Sequence, residues 1–564
     1  MKKLRVGFLI DELKFNQYEA DVISFVENHE NFDRPFIITG YKKKINENLF
    51  NKLIKKLYRN PLINIDIFFK IIFIKIIKFI EIRSVNNKYP KYKKVIIPKD
   101  LNSYELLNIE GLWSKSGTYL EFTKDDVERI SNLNLNCIIR FGSGILRGDI
   151  INSTEFGIIS FHHGDNRLNR GGPSGFWEVL NHEPSSGFII QKINNELDGG
   201  EVLLRGNIMT ADLWLHNNAQ LLEKSNIFLI NLLKNLSINL CLPKPEGVRL
   251  HSNKIYKIEN SFTLIKYISR IIIPKIFKSI LTRLFSPSVD RWSIAYAEHN
   301  NYSKSLWRYN EVKNPLGRFL ADPFVYKYKE NNYIFVEDFF YEDNKGRISV
   351  LKINNNSHEF LGIVLEEDFH LSFPFIFNES GNIYMVPESS KNNDIRLYKC
   401  IDFPHKWVLE KVIMTDVNAA DTMIIKNNNS WFLLTNICSA NNGDHQSELH
   451  IFYSKDFRNN SWKEINISNP VVIDSMRARN GGIFSHRGIT YRVNQVHGQE
   501  HYGKSFYINE IKKINEDEYI EERVSEIKPN FIKNINSTHH FHANNTLAVI
   551  DFARKQRLNK AIKS

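Results

Sequence analysis

The residues SFHHGDNRLNRGGPSGFW, 160–177, continue the short apolar strand GII and carry paired histidines and an Arg-Gly-Gly-Pro turn. A second piece, ELDGG at 196–200, sets one aspartate in a glycine-rich turn. This layout is typical of an acyl-transfer site, because a histidine can take a proton from an amine and an aspartate can orient the histidine. The pattern favours His162 and Asp198 as that pair, with glycines that let a ligand approach the backbone.

These residues resemble the formyltransferase family, whose pattern runs Asn-x-His-x-Ser, then Arg-Gly before Pro, then Leu-Asp-x-Gly. The chain has Ser160-Phe-His162-His-Gly164, Arg170-Gly-Gly-Pro173 and Leu197-Asp198-Gly-Gly200. The resemblance implies that His162 is the catalytic base, that Asp198 is its partner, and that Ser160 replaces the asparagine that holds the oxyanion. Loss of one oxyanion donor typically lowers the rate by about 10²–10³-fold, so Ser160 makes the activity conditional while leaving the fold intact.

The resemblance also implies 10-formyltetrahydrofolate as the co-substrate and an amino sugar as the acceptor. The pterin is expected at a loop that follows a strand, formed by Phe141, Gly142, Ser143, Gly144 and Ile145. Three polar residues of the opening stretch are expected at the acceptor: Asp165, Asn166 and Arg170. His163 should point away from His162, because successive side chains of a strand alternate, so that only one of the two reaches the pocket.

The first part of the chain alternates short β-rich runs with helical segments. The β-rich runs are KLRVGFLI, RPFIITGY, NCIIRFG and FGIISFHH, and the helical segments include YEADVISFVENH and TKDDVERISNLN. Nearly continuous apolar strands between helices indicate a mostly parallel sheet, whose ligands bind at the carboxyl ends of the strands. We therefore expect a formyltransferase-like, Rossmann-like α/β domain over residues 1–215.

The second half contains an internal repeat of a polar start, an apolar strand, a turn and a second apolar strand. The units begin with ADPF near Asp322, SFPF near Ser372, ADTM near Asp421, RNGG near Arg479 and THHFH near Thr538. Their spacing of about 50 to 60 residues is that of a four-stranded propeller blade. The repeat predicts an all-β five-bladed β-propeller over residues 290–558.

Polar residues recur at the blade entries and at the ends of the second strands, where side chains of a propeller point towards its axis. Candidate sugar-binding residues are Asp322, Glu337, His370, Glu388, Asp421, Arg479 and Asn480, with Gln495, Glu500, His539 and His540 nearby. We expect Asp322, Glu388 and Asp421 at equivalent ends of successive blades, converging on one pocket. Paired carboxylates can share the acid and base roles at a glycosidic bond.

This half resembles the propeller domain at the N-terminus of plant glucosamine inositolphosphorylceramide transferases, a fold related to five-bladed furanosidase-like glycoside hydrolases. The matching pieces are ADPF (321–324), FHLSFPFIF (369–377), IYMVPES (383–389), ARNGG (478–482), YRVNQ (491–495) and HYG (501–503). The resemblance implies a sugar or glycan precursor as partner. It does not by itself imply catalysis, because the plant proteins carry a separate glycosyltransferase domain that these pieces do not match.

Charge and composition indicate where the protein is located and whether it binds a membrane. The net charge is +12, and two basic apolar segments, residues 62–82 and 262–285, carry much of that character. Each segment either lies on an anionic membrane surface or packs on a neighbouring domain; the second belongs to an expected connector, residues 216–289. The four cysteines are scattered and the N-terminus reads as a first strand, which favours a cytoplasmic protein, with peripheral binding to the inner face of the membrane as the membrane alternative.

Three classes of function follow. In the first, the protein N-formylates an amino sugar during cell-surface glycan biosynthesis, and the propeller holds the nucleotide- or lipid-linked precursor. In the second, the propeller transfers or cleaves a glycosyl group with Asp322, Glu388 and Asp421, and the formyltransferase-like domain is catalytically degenerate. In the third, both halves only bind glycan or lipid. No metal site is expected, and the absence of zinc spacing and of helix-turn-helix patterns argues against nucleic acid.

Overall fold

The computed structural model describes residues 3–41, 61–97, 104–168, 170–196, 199–247, 255–285, 287–298, 305–354, 357–440, 443–459, 461–466, 469–499 and 501–563. Most of the described secondary structure is β-strand, arranged in many small sheets. The chain divides into two compact units, Met1–Lys275 and Ile276–Ser564.

The first unit is built on a seven-stranded sheet in the order β13-β12-β10-β8-β1-β3-β5. The strands β1, β3, β5, β8 and β10 pair in parallel, whereas β12 and β13 are antiparallel additions at one edge. The strands of this unit are β1 Val6–Leu9, β2 Phe15–Asn16, β3 Phe36–Thr39, β4 Val95–Ile96, β5 Glu105–Asn108, β6 Gly111–Trp113, β7 Tyr119–Phe122, β8 Cys137–Arg140, β9 Ile145–Leu146, β10 Ile158–His162, β11 Arg170–Gly171, β12 Ser185–Lys192, β13 Glu201–Met209 and β14 Ile255–Tyr256.

The helices of the first part of the chain are α1 Gln17–Asn28, α2 Pro61–Lys88, α3 Lys124–Ser131, α4 Phe176–Leu180, α5 Trp214–Asn239, α6 Ser261–Tyr267 and α7 Ile273–Leu284. The α1 helix begins with a capping box, in which Asn16 and Glu19 each accept the other's backbone N–H. The α5 helix packs on β12, α1 and α2. A π-helical segment, Ile268–Ile272, separates α6 from α7 just before Pro274, which cannot donate a backbone hydrogen bond.

The compact first unit extends beyond residue 215, the expected end of the α/β domain. The α5 and α6 helices, which fall within the expected connector, bury apolar side chains in this unit. Leu264, Tyr267 and Ile271 pack in one cluster with Ile77 and Val85 of α2. Composition did not reveal this packing, because the segment looks as basic as a solvent-facing linker. Among the described residues, we find no helix with both the length and the apolar character needed to cross a membrane.

The second unit consists of five antiparallel sheets: β16-β15-β35-β34, β17-β18-β19-β20, β21-β22-β23-β24, β25-β26-β27-β28 with β29 beside β27, and β30-β31-β32-β33. The strands are β15 Ser288–Glu298, β16 Asn310–Glu311, β17 Arg318–Tyr328, β18 Asn331–Phe340, β19 Lys345–Asn354, β20 Ser357–Leu365, β21 Ser372–Glu379, β22 Asn382–Glu388, β23 Asp394–Asp402, β24 Lys406–Thr415, β25 Ala419–Asn427, β26 Ser430–Ile437, β27 Glu448–Ser454, β28 Lys463–Glu464, β29 Val472–Ile473, β30 Asn480–His486, β31 Ile489–Gly498, β32 His501–Ile514, β33 Tyr519–Ile527, β34 Phe541–Ala543 and β35 Leu547–Arg557; helix α8, Leu558–Lys563, follows.

The first strands of the sheets form a closed ring. β17 contacts β21, β21 contacts β25, β25 contacts β30, β30 contacts β34, and β34 contacts β17. The ring is closed by the fifth sheet, in which β15 pairs with β35 from Ser288↔Arg557 to Glu298↔Leu547. The start of each of the five sequence repeats lies in one of the ring strands or just before it.

Candidate functional site

Two carboxylates of the second unit are positioned by a β-bulge that recurs along the ring. The register shifts between Ala321 and Phe324 in β17 and between Ala420 and Met423 in β25. Asp322 and Asp421 sit in these bulges with φ of 49° and 47°. A non-glycine residue in this left-handed region typically stores about 1–3 kcal/mol of strain, and such strain concentrates where a side chain must be aimed.

The same bulge occurs in two further ring strands, but without a carboxylate. β21 shifts between Ser372 and Phe375, where Phe373 has φ of 47°, and β30 shifts between Asn480 and Ile483. Glu388 therefore does not occupy a position equivalent to Asp322 and Asp421, contrary to the prediction. It ends β22, the second strand of its sheet, opposite Ser372, as Glu337 in β18 lies opposite Ala321. A register shift of this kind is not visible in sequence spacing.

One arginine joins two of the carboxylates. The Arg479 guanidinium donates to Asp421 through Nε, and its Nη2 lies 3.5 Å from Glu388 Oε2. Asp421 also accepts from the Gln495 amide at 2.8 Å, and its own backbone N–H donates to Glu388 at 3.3 Å. Asp421, Glu388 and Arg479 thus form one buried network drawn from three sheets.

Asp322 lies beside a histidine rather than an arginine. His539 Nε2 is 3.4 Å from Asp322 Oδ1, and His539 Nδ1 is 2.6 Å from Asp551 Oδ2. Asp551 is fully buried and accepts the backbone N–H groups of His539 and His540 through Oδ1. Asp322 Oδ1 has no hydrogen-bond partner among the described residues. The sequence suggested no role for Asp551, because a lone aspartate in an apolar strand carries no motif.

Asp322, His539 and Asp551 are also the one group among the described residues whose ligand atoms could hold a metal ion. One atom from each lies within 4.8 Å of the others. Carboxylate and imidazole ligands suit several divalent metals. The sequence alone predicts no metal site.

A second imidazole–carboxylate pair joins Glu337 of β18 to His370, which lies in the connection between β20 and β21. His370 Nε2 is 3.3 Å from Glu337 Oε1, while His370 Nδ1 accepts the backbone N–H of Gly346 at 2.9 Å. Burial lowers the pKa of His370, but the hydrogen bond and charge of Glu337 outweigh this and raise the pKa overall. An imidazole hydrogen-bonded to a carboxylate is a group suited to proton transfer.

The environment drives the pKa values of the clustered carboxyl groups apart. Burial raises the pKa of Asp322 well above its usual range, and the negative charges of Glu337, Asp551 and Glu388 add to the effect. Burial also raises the pKa of Asp421, against the opposing charge of Arg479. For Glu388 burial acts in the same direction, but the charge of Arg479 and a hydrogen bond with the Asp421 side chain overcome it and lower the pKa. Protonated and ionised carboxyl groups side by side are what acid–base chemistry requires.

Aromatic rings border the Asp322 side of the cluster. The ring centroids of Trp292 and His539 are 4.1 Å apart, and Tyr502 meets the Trp292 ring edge-on at 6.0 Å. Tyr502 also stacks on His497 at 4.6 Å and is itself exposed. Aromatic faces next to carboxylates offer a sugar both an apolar wall and hydrogen-bond partners. The HYG motif contains Tyr502, but nothing in the sequence signalled Trp292.

Two predicted residues of this half have other roles or lie outside the structure. Asn480 is fully buried and donates to the backbone carbonyls of Asp421 and Leu434, so it links strands instead of facing a ligand. Glu500 lies outside the described residues.

A cavity of about 780 Å³ lies elsewhere in the unit, at the other end of the strands from the bulges. It is lined by residues 425–428, 488–490 and 510–515, among others, and by none of the carboxylates above.

The predicted site of the first unit is only partly assembled by the described residues. A cavity of about 250 Å³ at the carboxyl ends of β8 and β10 is lined by Arg140, Phe141, Gly142, Ser160 and His163, among others. His163 donates to or accepts from Ser225 Oγ at 2.9 Å, and burial lowers its pKa to about 4. His162 is not among the residues that line this cavity. Asp198, its expected partner, lies outside the described residues.

The other residues predicted at this site are held by the protein itself. Ser143 donates to Asp11 through its backbone N–H and its hydroxyl, and Arg140 binds the carbonyl oxygens of Ser143 and Gly144. Ile145 is part of β9, which pairs with β7. Of the five residues expected at the pterin, only Phe141 and Gly142 line the cavity, so the fit to a folate is partial.

The residues expected at the acceptor of the first unit also have structural roles. Asp165 is buried in ion pairs with Arg167 and Arg205; burial alone would raise its pKa, but the hydrogen bonds and charge of the arginines lower it. Asn166 is buried beside it. Arg170 lies in β11, which pairs with β14.

Comparison with known proteins matches the second unit. The family model described as "Glucosamine inositolphosphorylceramide transferase 1, N-terminal" matches residues 309–550, a range that contains Asp322, Glu388, Asp421 and Arg479. The chain is 36% identical over 211 residues to glucosamine inositolphosphorylceramide transferase 1 of Arabidopsis thaliana and 34% identical over 208 residues to that of Oryza sativa subsp. japonica. Each match covers 36% of this chain and 27% of the relative, so the chain matches about a quarter of the length of these relatives.

Solved structures align with part of the chain at low identity. The catalytic domain of a Coprinopsis cinerea GH62 α-L-arabinofuranosidase aligns with a TM-score of 0.32 at 11% identity, covering 47% of this chain and 97% of that one. A sugar N-formyltransferase from Shewanella sp. aligns with a TM-score of 0.27 at 12% identity, covering 47% of this chain and 88% of that one.

Proposed function

We propose that the second unit is a five-bladed β-propeller whose axial carboxylates bind and process a sugar, and that the protein acts in glycan biosynthesis by glycosyl transfer or cleavage. The proposal rests on one observation: Arg479 pairs with both Asp421 and Glu388, while Asp322, on the ring strand β17, pairs with histidine and with no Lys or Arg among the described residues. The similarity to the N-terminal part of glucosamine inositolphosphorylceramide transferases supports a sugar or glycolipid precursor as substrate.

The chemistry follows from the protonation of the cluster. Asp322, whose pKa burial raises well above its usual range, is the group that gives a proton to the leaving oxygen of a glycosidic bond. Glu388, with its lowered pKa, is ionised and acts as base or nucleophile. Arg479 and Gln495 orient Asp421 between them, and the Trp292 and Tyr502 rings cover the side on which a sugar ring binds.

The experiment replaces the protein in its own cells by variants and compares their glycans by mass spectrometry. Asp322→Asn and Glu388→Gln should each truncate the glycan, because they remove the acid or the base without changing the size of the side chain. Glu342→Gln, a change at an exposed glutamate of the same unit, is the matched control. Intact glycans in both axial variants, with the proteins folded and present at normal levels, would eliminate the proposal.

A second candidate function is N-formyl transfer to an amino sugar by the first unit, with a formyl-folate as co-substrate and a catalytically competent Ser160. It is favoured by the cavity at the carboxyl ends of β8 and β10, where Glu19 has a pKa raised by burial to about 7 and lies near Arg140. Purified protein incubated with 10-formyltetrahydrofolate and amino sugars should then release tetrahydrofolate. Loss of one CO mass from the glycan, without truncation, would be the matching result in cells lacking the protein.

A further inference from the structure

The α7 helix carries a continuous apolar stripe that nothing in the described part of the chain covers. Its apolar residues recur at the spacing of one helical face: Ile273, Ile276, Phe277, Ile280, Leu281 and Leu284. All six are exposed, from 39% for Leu281 to 69% for Leu284, and no residue of the helix is buried. An amphipathic helix normally buries this face, because burial of such side chains is worth about 1.5–3 kcal/mol each.

The charges around the stripe are of one sign. From Ser261 to Phe285 the chain has five cationic residues and no Asp or Glu: Lys266, Arg270, Lys275, Lys278 and Arg283. Lys275 pairs with Asp212 at 2.6 Å, and the α7 sequence itself contains no carboxylate. A second copy of this helix would bring like charges together, whereas an anionic surface would complement them.

The α2 helix has the same character. Phe68, Phe69 and Phe79 are exposed on it, and so are Lys75 and Lys78. Its two carboxylates are engaged within the unit: Glu81 accepts from the Leu215 N–H and the Tyr267 hydroxyl, and Asp66 accepts from the Ser261 N–H. The acidic groups of α2 are thus withdrawn into packing, and its exposed charge is positive.

We propose that α7 binds an anionic membrane surface, with its apolar stripe in the boundary of the acyl chains and its lysine and arginine side chains extended to the lipid headgroups. A helix of this length cannot cross the hydrocarbon core, but it can lie in the interface plane. Lys278 and Arg283 lie between the apolar positions, where their aliphatic stems reach along the helix towards the headgroups. This surface is separate from the axial carboxylates.

The experiment measures binding of the full chain to lipid vesicles by co-sedimentation. The protein should bind vesicles of phosphatidylcholine mixed with phosphatidylglycerol, and should bind pure phosphatidylcholine much more weakly. The double variant Phe277→Ser/Ile280→Ser should weaken binding about tenfold or more, because it removes the centre of the stripe. The matched control is Leu316→Ser/Val524→Ser, which removes two equally exposed apolar side chains elsewhere and should bind like the wild type.

The electrostatic part is tested with Lys278→Gln/Arg283→Gln. This variant should lose about tenfold in binding at low salt and little at high salt, where the wild type is itself weakened. Equal binding of the wild type to neutral and anionic vesicles would overturn the proposal, as would unchanged binding of the serine variant. Concentration-dependent dimerisation that Phe277→Ser/Ile280→Ser abolishes, in the absence of vesicle binding, would instead assign the stripe to a second copy.

Discussion

Two buried arginines lie close together in the second unit and are paired in opposite ways. Arg492 forms a two-pronged ion pair with Glu521, with both N···O distances at 2.8 Å, and gives its remaining N–H groups to two backbone carbonyls and to Asn480. Arg479 instead divides its guanidinium between Asp421 and Glu388. Asn480 connects the two systems, because it accepts from Arg492 and donates to the Asp421 carbonyl.

The number of carboxylates that each arginine meets distinguishes a structural ion pair, at Arg492, from a candidate functional site, at Arg479. Arg492 meets one carboxylate, Glu521, which Arg477 also approaches at 3.5 Å, so no carboxylate there lacks a cation. Glu521 offsets the effect of burial and holds the pKa of Arg492 above its usual value. At Arg479 one cation meets two carboxylates, and Asp322 adds a third carboxyl group whose pKa is raised. A fold gains little from an unbalanced buried charge, so such clusters are typical of places where protons are moved or ligands are bound.

The largest effect on stability is expected for Arg492→Leu. Removal of the cation takes away the two-pronged partner of buried Glu521 and leaves Arg477 at 3.5 Å. Breaking a buried ion pair typically costs about 3–5 kcal/mol of the free energy of unfolding. Urea unfolding at neutral pH measures the change, with the exposed Arg523→Leu as control. Because Arg492 lowers the pKa of Glu521 against the effect of burial, the wild type loses this stabilisation as the pH falls through that pKa, and the gap between variant and wild type should narrow in acid. A loss below about 1 kcal/mol at neutral pH would contradict the structural role.

Arg479→Met should affect function more than stability. The free energy of unfolding should fall by about 2 kcal/mol or less, because the pKa of Asp421 is already raised and a proton can replace the lost cation. Glycan assembly should be lost, since Glu388 then also rises in pKa and is no longer ionised. If Arg479→Met destabilises the protein as much as Arg492→Leu while the glycans stay normal, Arg479 is structural like Arg492, and the contrast between the two arginines is wrong.

The sequence was informative where the repeat forces equivalent backbone positions. The five repeat starts lead to the five ring strands, and Asp322 and Asp421 stand out as polar residues inside apolar strands. The sequence could not reveal that β-bulges aim these two residues while Glu388 comes from a second strand, because a register shift depends on pairing. Trp292 and Asp551 were missed for a related reason: they come from β15 and from β35, strands from the two ends of the unit that meet only when the ring closes.

Asp322→Asn should have a smaller effect on stability than the two arginine variants, and it should raise stability while removing function. The pKa of Asp322 is raised in the folded protein, so its contribution to stability is present below about pH 4, the unfolded value, and is lost as the pH rises through the folded value. The amide of Asp322→Asn does not ionise and so lacks this loss. As the pH rises, the free energy of unfolding of the variant should therefore increase relative to that of the wild type, by about 1.4 kcal/mol for each unit by which the pKa is shifted. Urea unfolding between acid and neutral pH, with Glu342→Gln as control, measures the difference. Parallel curves for variant and wild type would show that Asp322 is ionised without penalty.

His162→Ala should have the smallest effect on glycan assembly, and that result sharpens the contrast between the two units. The second unit joins Asp421 and Glu388 through Arg479, whereas the cavity of the first unit is lined by His163, with its pKa lowered to about 4, and not by His162. If the axis carries the chemistry, glycans of His162→Ala cells should match the wild type in both length and mass, while those of Glu388→Gln cells are truncated. A glycan of full length that lacks one CO in His162→Ala cells would instead place a group-transfer reaction in the first unit. The two units would then act on the same glycan one after the other. The hypothesis that the first unit, with Ser160 in place of asparagine, is catalytically degenerate would then be wrong.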